Sequence, residues 1–162
     1  MFQLLKALVD ADVEFVLVGG LAVALQGYQR QTMDIDIVVT TSNDNLLRLI
    51  ACARENGLRP GIPVNLESLA QPELLDQWHR EKGMLAFSLR APDALATVID
   101  VLIKPVVPAD ELCRDATVVK VGALAIRVAS IAHLITMKTG TGRSKDRIDI
   151  EELQKLQSSH RP

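Results

Sequence analysis

Apolar and polar residues alternate along the chain with two periods, one typical of helices and one typical of strands. A repeat of about 3.6 residues indicates an amphipathic helix, whereas short apolar or alternating runs indicate strands. The first 57 residues therefore predict, in order, a helix at 2–12, a buried strand at 14–18, a short apolar helix at 21–27, a strand at 33–40, and a helix that is capped within 41–43 and ended by Gly57.

The rest of the chain adds further strands, two of which face each other across a predicted hairpin turn at 91–93. The predicted elements are a loop at 60–63, a partly helical segment at 66–80, strands at 84–90 and 94–103, a short helix at 110–114, strands at 117–121 and 124–128, a helix from Ser130 to about 139, and a last helix at about 145–157. This order predicts an α/β (α+β) fold with a mixed β-sheet flanked by helices. We expect one domain at 1–157 and a frayed tail at 158–162.

The composition is that of a globular protein that lies outside membranes. Of 162 residues, 48% are hydrophobic and 23% are charged, which excludes a disordered chain. The apolar stretch at 15–25 is interrupted by Gly19-Gly20 and is shorter than the ~20 residues that span a bilayer. Acidic residues rather than a basic leader precede it, which argues against a signal peptide. A soluble, cytoplasmic protein is expected.

Three further counts narrow the possible functions. The two cysteines, Cys52 and Cys113, favour neither a disulfide framework nor a zinc site. An aromatic content of 3% argues against a surface that stacks single-stranded bases. Residues 127–162 contain seven Lys or Arg and four Asp or Glu, although the whole chain has a net charge of -2. This asymmetry suits a site with an acidic and a basic wall, or two differently solvated surfaces.

Two acidic residues share one face of the strand at 33–40. Side chains at positions i and i+2 of a strand point to the same side, so Asp34 and Asp36 are neighbours. Two adjacent carboxylates repel each other unless a cation or a shared proton lies between them. Mg²⁺ is commonly held by one or two carboxylates together with substrate phosphates. The pattern therefore indicates a metal site, or else only the polar face of an edge strand.

Asp100 stands alone in an otherwise apolar strand. The segment at 95–103 contains no other charged residue, and a continuous apolar strand is expected to be buried on both faces. An isolated buried carboxylate is costly unless a metal, hydrogen-bond donors or an arginine satisfies it. Asp100 is thus either a third metal ligand at a cleft or a structural carboxylate.

Gly19-Gly20 lies between a buried strand and a helix. Glycine lets the backbone approach a ligand, and the N–H groups at a helix start favour an anion. The pair belongs to neither a G-x-G-x-x-G nor a P-loop motif, so it indicates either a phosphate-binding turn or a simple tight turn.

Taken together, residues 18–36 (VGGLAVALQGYQRQTMDID) resemble the signature of the polymerase-β-like nucleotidyltransferase superfamily. The spelling G-G-x-A-x-x-x-x-G-x-x-R-x-T-x-D-I-D is similar to the AbiEii-type branch, which includes toxins of toxin–antitoxin systems. Segments 130–138 and 142–150 are similar to the last part of that family's core. The resemblance covers most of residues 13–153.

The resemblance implies transfer of a nucleoside monophosphate from an NTP to an acceptor hydroxyl. It implies that Asp34, Asp36 and Asp100 bind two Mg²⁺ (or Mn²⁺) ions with the NTP, and that Asp100 also orients or deprotonates the hydroxyl. The implied phosphate-binding residues are Gly19, Gly20, Arg30 and Lys138.

The basic residues also have purely structural interpretations. Arg30 can pair with a carboxylate near the aspartates, and Lys138 can complement a helix end. The charged residues at 143–149 are expected to form a structural network around the last helix, and Trp78 receives no role.

Three functions remain open from the sequence. The first is an active enzyme whose acceptor is RNA, a protein or a small molecule. The second is a catalytically silent module that binds a nucleotide or a partner. The third is a toxin–antitoxin component that acts as half of an obligate complex with an antitoxin. Whether the chain also pairs with a second copy of itself is left open by the sequence. No accessory domain is expected after the predicted core, unless the loop and helix at 60–83 serve as one. Otherwise the acceptor is small, a second subunit supplies the missing wall, or the protein has lost activity.

Overall fold

The computed structural model describes residues 1–159, which form seven strands, seven α-helices and one short 3₁₀ helix. The helices are α1 (Phe2–Asp10), α2 (Gly19–Leu25), α3 (Asn43–Glu55), α4 (Pro72–Lys82), α5 (Ala109–Arg114), α6 (Ile131–Lys138) and α7 (Ser144–Ser159), and the 3₁₀ helix is Leu66–Ala70. The strands are β1 (Phe15–Val18), β2 (Asp34–Val39), β3 (Arg59–Pro60), β4 (Ala86–Arg90), β5 (Val98–Leu102), β6 (Thr117–Val121) and β7 (Leu124–Val128).

All seven strands form one mixed sheet in the order β3-β4-β5-β2-β1-β7-β6. The β2–β5 and β1–β7 pairs are parallel, and the other four pairs are antiparallel. The expected mixed sheet flanked by helices is therefore confirmed. No helix among residues 1–159 is long and apolar enough to cross a membrane.

Strands β2 and β5 each have one closed face and one partly open face, whereas β1 is buried on both faces. Side chains that alternate with the aspartates, such as Ile35, Ile37 and Ile99, are completely buried in a single hydrophobic core. On the opposite face, Asp36 and Asp100 are only partly buried. The apolar side chains on one face of these strands therefore build the core, and the carboxylates on the other face line a cleft.

The helix starts follow from local sequence. The Ser42 side chain accepts a hydrogen bond from the backbone N–H of Asn45, and Ser130 accepts one from the backbone N–H of His133. These caps satisfy backbone donors that have no partner within the helix. Both caps were predicted from the sequence, and they fix the first turns of α3 and α6.

The structure corrects several predicted boundaries. Strand β5 begins at Val98, because residues 94–97 belong to the turn, in which the Asp93 carboxylate accepts bonds from the Thr97 backbone and hydroxyl. Helix α2 begins at Gly19 itself rather than after the glycine pair. Helix α7 continues through Ser159, so positions 158 and 159 of the predicted tail are helical, and 160–162 lie outside the described residues.

Candidate active site

The three aspartates meet because their strands are parallel neighbours. Asp36 on β2 is paired in register with Asp100 on β5, and Asp34 is paired with Val98 one pleat away. Paired residues of adjacent strands point to the same side of a sheet. The three carboxylates therefore line one cleft of about 410 Å³, together with both glycines, Arg30 and Lys138. All seven residues that the sequence selected thus lie around a single cavity.

Gly19 is required by the position of Asp36. Gly19 has a φ of +65°, and a β-carbon built on it would lie 1.9 Å from Asp36 Oδ2. Such a separation is far inside van der Waals contact, so no side chain fits at this position. Val18, the residue before Gly19, is paired with Asp36 across β1 and β2, which brings the glycine against the carboxylate.

Gly20 is confined less tightly, and by other residues. A β-carbon on Gly20 would lie 3.0 Å from both Arg30 Cζ and Thr32 Oγ1. The Gly20 backbone also forms a hydrogen bond with the Asp36 carboxylate. Both glycines therefore pack against residues of the cleft itself, which is a role that the sequence motif did not specify.

The ionised form of Asp36 is disfavoured by its position in the cleft. Burial, followed by repulsion from Asp100 and Asp34, raises the pKa of Asp36 to about 6, against the opposing effects of the Gly20 hydrogen bond and Lys138. A carboxylate in this state gains from any cation that approaches it, since the cation relieves both causes. The cleft is therefore poised to bind positive charge next to Asp36.

Asp100 is less buried than the apolar strand suggested. Its side chain lies on the partly open face of β5, so the expectation that this strand is buried on both faces is wrong. One of its oxygens, Oδ1, accepts a 2.5 Å hydrogen bond from Ser88 Oγ on the neighbouring strand β4. No arginine pairs with Asp100 among the ion pairs of residues 1–159.

The opposite wall is an ion network in which Lys138 is central. Lys138 is 9% exposed, and its Nζ lies 2.7 Å from Asp146 Oδ1 and 2.8 Å from Asp149 Oδ2. Arg30 also pairs with Asp149, whose side chain is buried. The structural interpretation of Arg30 is thereby found in the molecule, although its partner comes from α7 rather than from the aspartate strand.

The network is electrically balanced within itself. Burial disfavours the charged form of Asp146, but hydrogen bonds from Lys138 and from the Thr141 hydroxyl outweigh burial and hold the pKa of Asp146 below its usual value. Two cations and two carboxylates then cancel each other. The network consequently joins Arg30, α6 and α7, and its formal charges sum to zero.

Two further cations line the cleft without forming ion pairs in this network. Arg143 and Lys145 are exposed, and neither forms an ion pair with another residue in 1–159. Both were expected to belong to a structural network with Asp146 and Asp149. The two aspartates form its ion pairs, and Arg143 adds a weaker attraction that helps to hold the pKa of Asp146 below its usual value. The two basic side chains therefore remain available to a ligand in the cleft.

The donor set fits Mg²⁺ that arrives with phosphate. Among residues 1–159, no three or more His, Cys, Asp and Glu side chains converge closely enough to enclose a metal ion by themselves. Mg²⁺ commonly uses one or two carboxylates and takes its remaining ligands from water and substrate phosphates. The paired, mutually repelling Asp36 and Asp100 offer that kind of partial site, with Asp34 exposed beside them.

Known protein structures provide an independent comparison. Over 96% of this chain and 94% of the other, the fold matches the lincosamide antibiotic adenylyltransferase LnuA with bound lincomycin, at a TM-score of 0.63 and 17% identity. The antibiotic-resistance factor ANT(2'')-Ia matches over 98% of this chain and 87% of its own, at a TM-score of 0.58 and 12% identity. The complex of ANT(2'')-Ia with adenylyl-2''-tobramycin matches over 98% of this chain and 92% of its own, at a TM-score of 0.58 and 14% identity.

Comparison of sequences finds no match, in contrast to the comparison of structures. No protein-family model matches the sequence, and no curated protein matches it either. The AbiEii-type branch suggested by residues 18–36 therefore stays a prediction, as do the cytoplasmic location and the toxin–antitoxin role. Identities of 12–17% demonstrate a shared architecture only. The chain has the mixed α/β fold of nucleotidyltransferases that modify antibiotics.

Proposed function

We propose that this protein transfers a nucleoside monophosphate from an NTP to a hydroxyl group of a small molecule. The observation that carries the proposal is the register of Asp36 and Asp100 on neighbouring parallel strands. Gly19 leaves room for the Asp36 carboxylate, because it has no side chain. The shared fold with LnuA and ANT(2'')-Ia, which are associated with lincomycin and tobramycin, supports a small acceptor.

The reaction balances as an in-line displacement at phosphorus. The acceptor oxygen forms a bond to the α-phosphorus, and the bond from that phosphorus to the α,β-bridging oxygen breaks. Pyrophosphate leaves with the electron pair of that bond. The hydroxyl proton passes to a carboxylate and then to solvent. The adenylylated or otherwise nucleotidylated acceptor is the second product.

Asp100 is the best placed proton acceptor for this step. Its Oδ1 accepts a hydrogen bond from the Ser88 hydroxyl at 2.5 Å, which supports a role for this carboxylate as an acceptor of hydroxyl protons. The second oxygen of the carboxylate retains capacity for another donor. Asp100 would thus orient the acceptor hydroxyl, while Ser88 keeps the carboxylate in position.

Metal dependence is part of the proposal. Asp34, Asp36 and Asp100 would hold the divalent cations. When bound, such ions neutralise the triphosphate and stabilise the charge that develops on the attacking and leaving oxygens. Arg143 and Lys145 would contact the phosphates, with Gly19 and Gly20 lining the bottom of the cleft. Lys138 and Arg30 would position this wall through Asp149 rather than supply its net charge.

A transfer assay tests the proposal directly. Purified protein is incubated with each NTP labelled at the α-phosphate, with Mg²⁺ or Mn²⁺, and with hydroxyl-bearing antibiotics, RNA or protein as acceptors. The Asp34→Asn/Asp36→Asn variant should lose transfer. A control, Asp12→Asn, makes the same change at an exposed residue outside the cleft and should remain active. Metal-dependent NTP binding without transfer to any acceptor would instead indicate a catalytically silent nucleotide-binding module.

A further inference from the structure

A second groove of about 420 Å³ lies beside β4, the strand next to the Asp100 strand β5. Its floor is the open face of β4, and its sides come from helix α4 and from the loop after β3. The lining residues are mostly apolar, with one hydroxyl and two cations. They include Ile62, Trp78, Lys82, Met84, Ser88 and Arg90.

The groove and the cleft are joined through a single hydrogen bond. Ser88 lines the groove, and its hydroxyl donates to Asp100, which lines the cleft. These two residues are also register partners on β4 and β5. A molecule lying in the groove would therefore present its end to the carboxylate that we assign to the acceptor hydroxyl.

The walls of the groove are fixed by contacts on both sides. The Gly61 backbone N–H donates to the Ser88 carbonyl at 2.8 Å and holds the loop against β4. At the other end, His79 Nδ1 lies 2.9 Å from the Met84 carbonyl oxygen, where α4 turns into β4 through Gly83. Trp78 and Lys82 are thereby held over the strand, with Lys82 Nζ 5.7 Å from the Trp78 ring centroid.

The charge of the groove is positive. Lys82 and Arg90 line it, whereas none of its described lining residues is acidic. Neither cation forms an ion pair with another residue in 1–159. One of the fold neighbours is found in complex with adenylylated tobramycin. A polycationic acceptor such as tobramycin would be repelled in this groove, since burying like charges together is unfavourable.

The size of the groove limits the occupant. Its floor is β4, whose four residue steps from Ala86 to Arg90 span about 13 Å at ~3.3 Å per residue. Ser88 lies at the middle of this strand, and Met84 and Trp78 also line the groove. A molecule of one or two rings fits a groove of this length, whereas a folded RNA would need an extended basic surface.

Resting on the proposed function, we propose that this groove binds the acceptor and that the acceptor is an uncharged or anionic hydroxyl compound with an apolar ring. The ring packs against Trp78 and Met84, an anionic substituent pairs with Arg90 or Lys82, and the hydroxyl lies at Asp100. The groove thus selects against the polycationic acceptors that the same fold accepts elsewhere.

Trp78 provides a direct optical readout, because it is the only tryptophan in the chain. Without NTP, phenyl β-D-glucoside, phenyl β-D-glucuronide and tobramycin are each titrated while Trp78 fluorescence is recorded. We expect saturable changes with both phenyl glycosides and binding of tobramycin at least about tenfold weaker. Arg90→Glu should weaken binding of the glucuronide about tenfold and that of the glucoside less than about twofold. Arg80→Glu, on the same helix as Trp78 but outside the groove, is the matched control.

The outcomes separate this proposal from the proposed function. If a parallel calorimetric titration detects no NTP binding, the proposed function itself is overturned. NTP binding with no Trp78 response to either phenyl glycoside would overturn only the acceptor groove. Tighter binding of tobramycin, or of a short oligoribonucleotide, than of the glycosides would overturn the stated acceptor class.

Discussion

The carboxylate of Asp36 occupies the space that a side chain on Gly19 would fill. The β-carbon of any other residue at position 19 would lie 1.9 Å from Asp36 Oδ2. The glycine therefore serves the acidic residue 17 positions later, which reaches it because β1 and β2 are antiparallel neighbours. This contact links the start of helix α2 to the position of the central carboxylate.

Gly19→Ala should consequently damage both the fold and the reaction. The variant adds left-handed strain of ~1–2 kcal/mol and an overlap that typically costs ~1–3 kcal/mol more. Displacing Asp36 by about 1 Å should reduce transfer about 100-fold. Gly122→Ala is the control, because Gly122 has a φ of +62° and nothing within 4 Å of its added β-carbon. Equal losses of unfolding free energy in urea for both variants would show that strain alone, and not the contact with Asp36, matters.

The raised pKa of Asp36 predicts a pH dependence of stability. Between its usual value of 3.8 and about 6, folded Asp36 keeps a proton that the unfolded chain has lost. The folded state is thus favoured at acidic pH, and this contribution disappears as pH rises through about 6. In EDTA, Asp36→Asn should be more stable than the wild type at about pH 8, by about 3 kcal/mol, and the difference should shrink towards about pH 4.

Urea denaturation of both proteins across this range isolates Asp36, since all other titrating groups are shared. An unchanged difference between wild type and Asp36→Asn from about pH 4 to pH 8 would contradict the raised pKa. Mg²⁺ with an NTP should stabilise the wild type and leave Asp36→Asn unaffected. That comparison also measures the metal dependence that we propose.

Lys138 is expected to be a stability residue first. Replacing it by Met leaves Asp146 and Asp149 without their buried cation, and breaking a buried pair typically costs ~3–5 kcal/mol. The same change at Lys155, whose pair with Glu152 is exposed, should lower the free energy of unfolding far less. If Lys138→Met unfolds at the same urea concentration as Lys155→Met, Lys138 does not stabilise the fold, and a role in phosphate binding is the one that remains.

Local pattern was sufficient for most of the framework and for the acidic wall. The strands Thr117–Val121 and Leu124–Val128 lie where the alternation placed them, since a hairpin is specified by adjacent residues. Asp34 and Asp36 share a face because the strand period fixes it. The joining of Asp100 to that face was implied only by the family resemblance, and the parallel β2–β5 pairing supplies its physical cause.

The basic wall and the second groove depend on contacts between distant residues. The partner of Arg30 is Asp149, 119 residues away, and no local pattern encodes that pair. Trp78 received no role because its neighbours in the sequence show no regular period. The structure places it opposite β4, 10 residues before the serine that contacts Asp100.

Arg143 and Lys145 should determine NTP affinity without affecting stability. Both are exposed, lack ion-pair partners in the described chain and line the aspartate cleft. Arg143→Ala and Lys145→Ala should each raise the KM for NTP about tenfold, as expected for loss of a charged hydrogen bond. The free energy of unfolding should change by less than ~0.5 kcal/mol, as is usual for surface substitutions. The KM for the acceptor should not move.

Ionic strength separates this role from a structural one. If the two cations attract the triphosphate, the KM for NTP rises with salt in the wild type and rises less steeply in the double variant. Arg147→Ala is the control, because Arg147 is exposed on the same helix as Lys145 but does not line the cleft. A KM for NTP that is equally salt-dependent in all three proteins would remove both residues from the phosphate site. The balanced network around Lys138 would then have to open and release its lysine when the nucleotide binds.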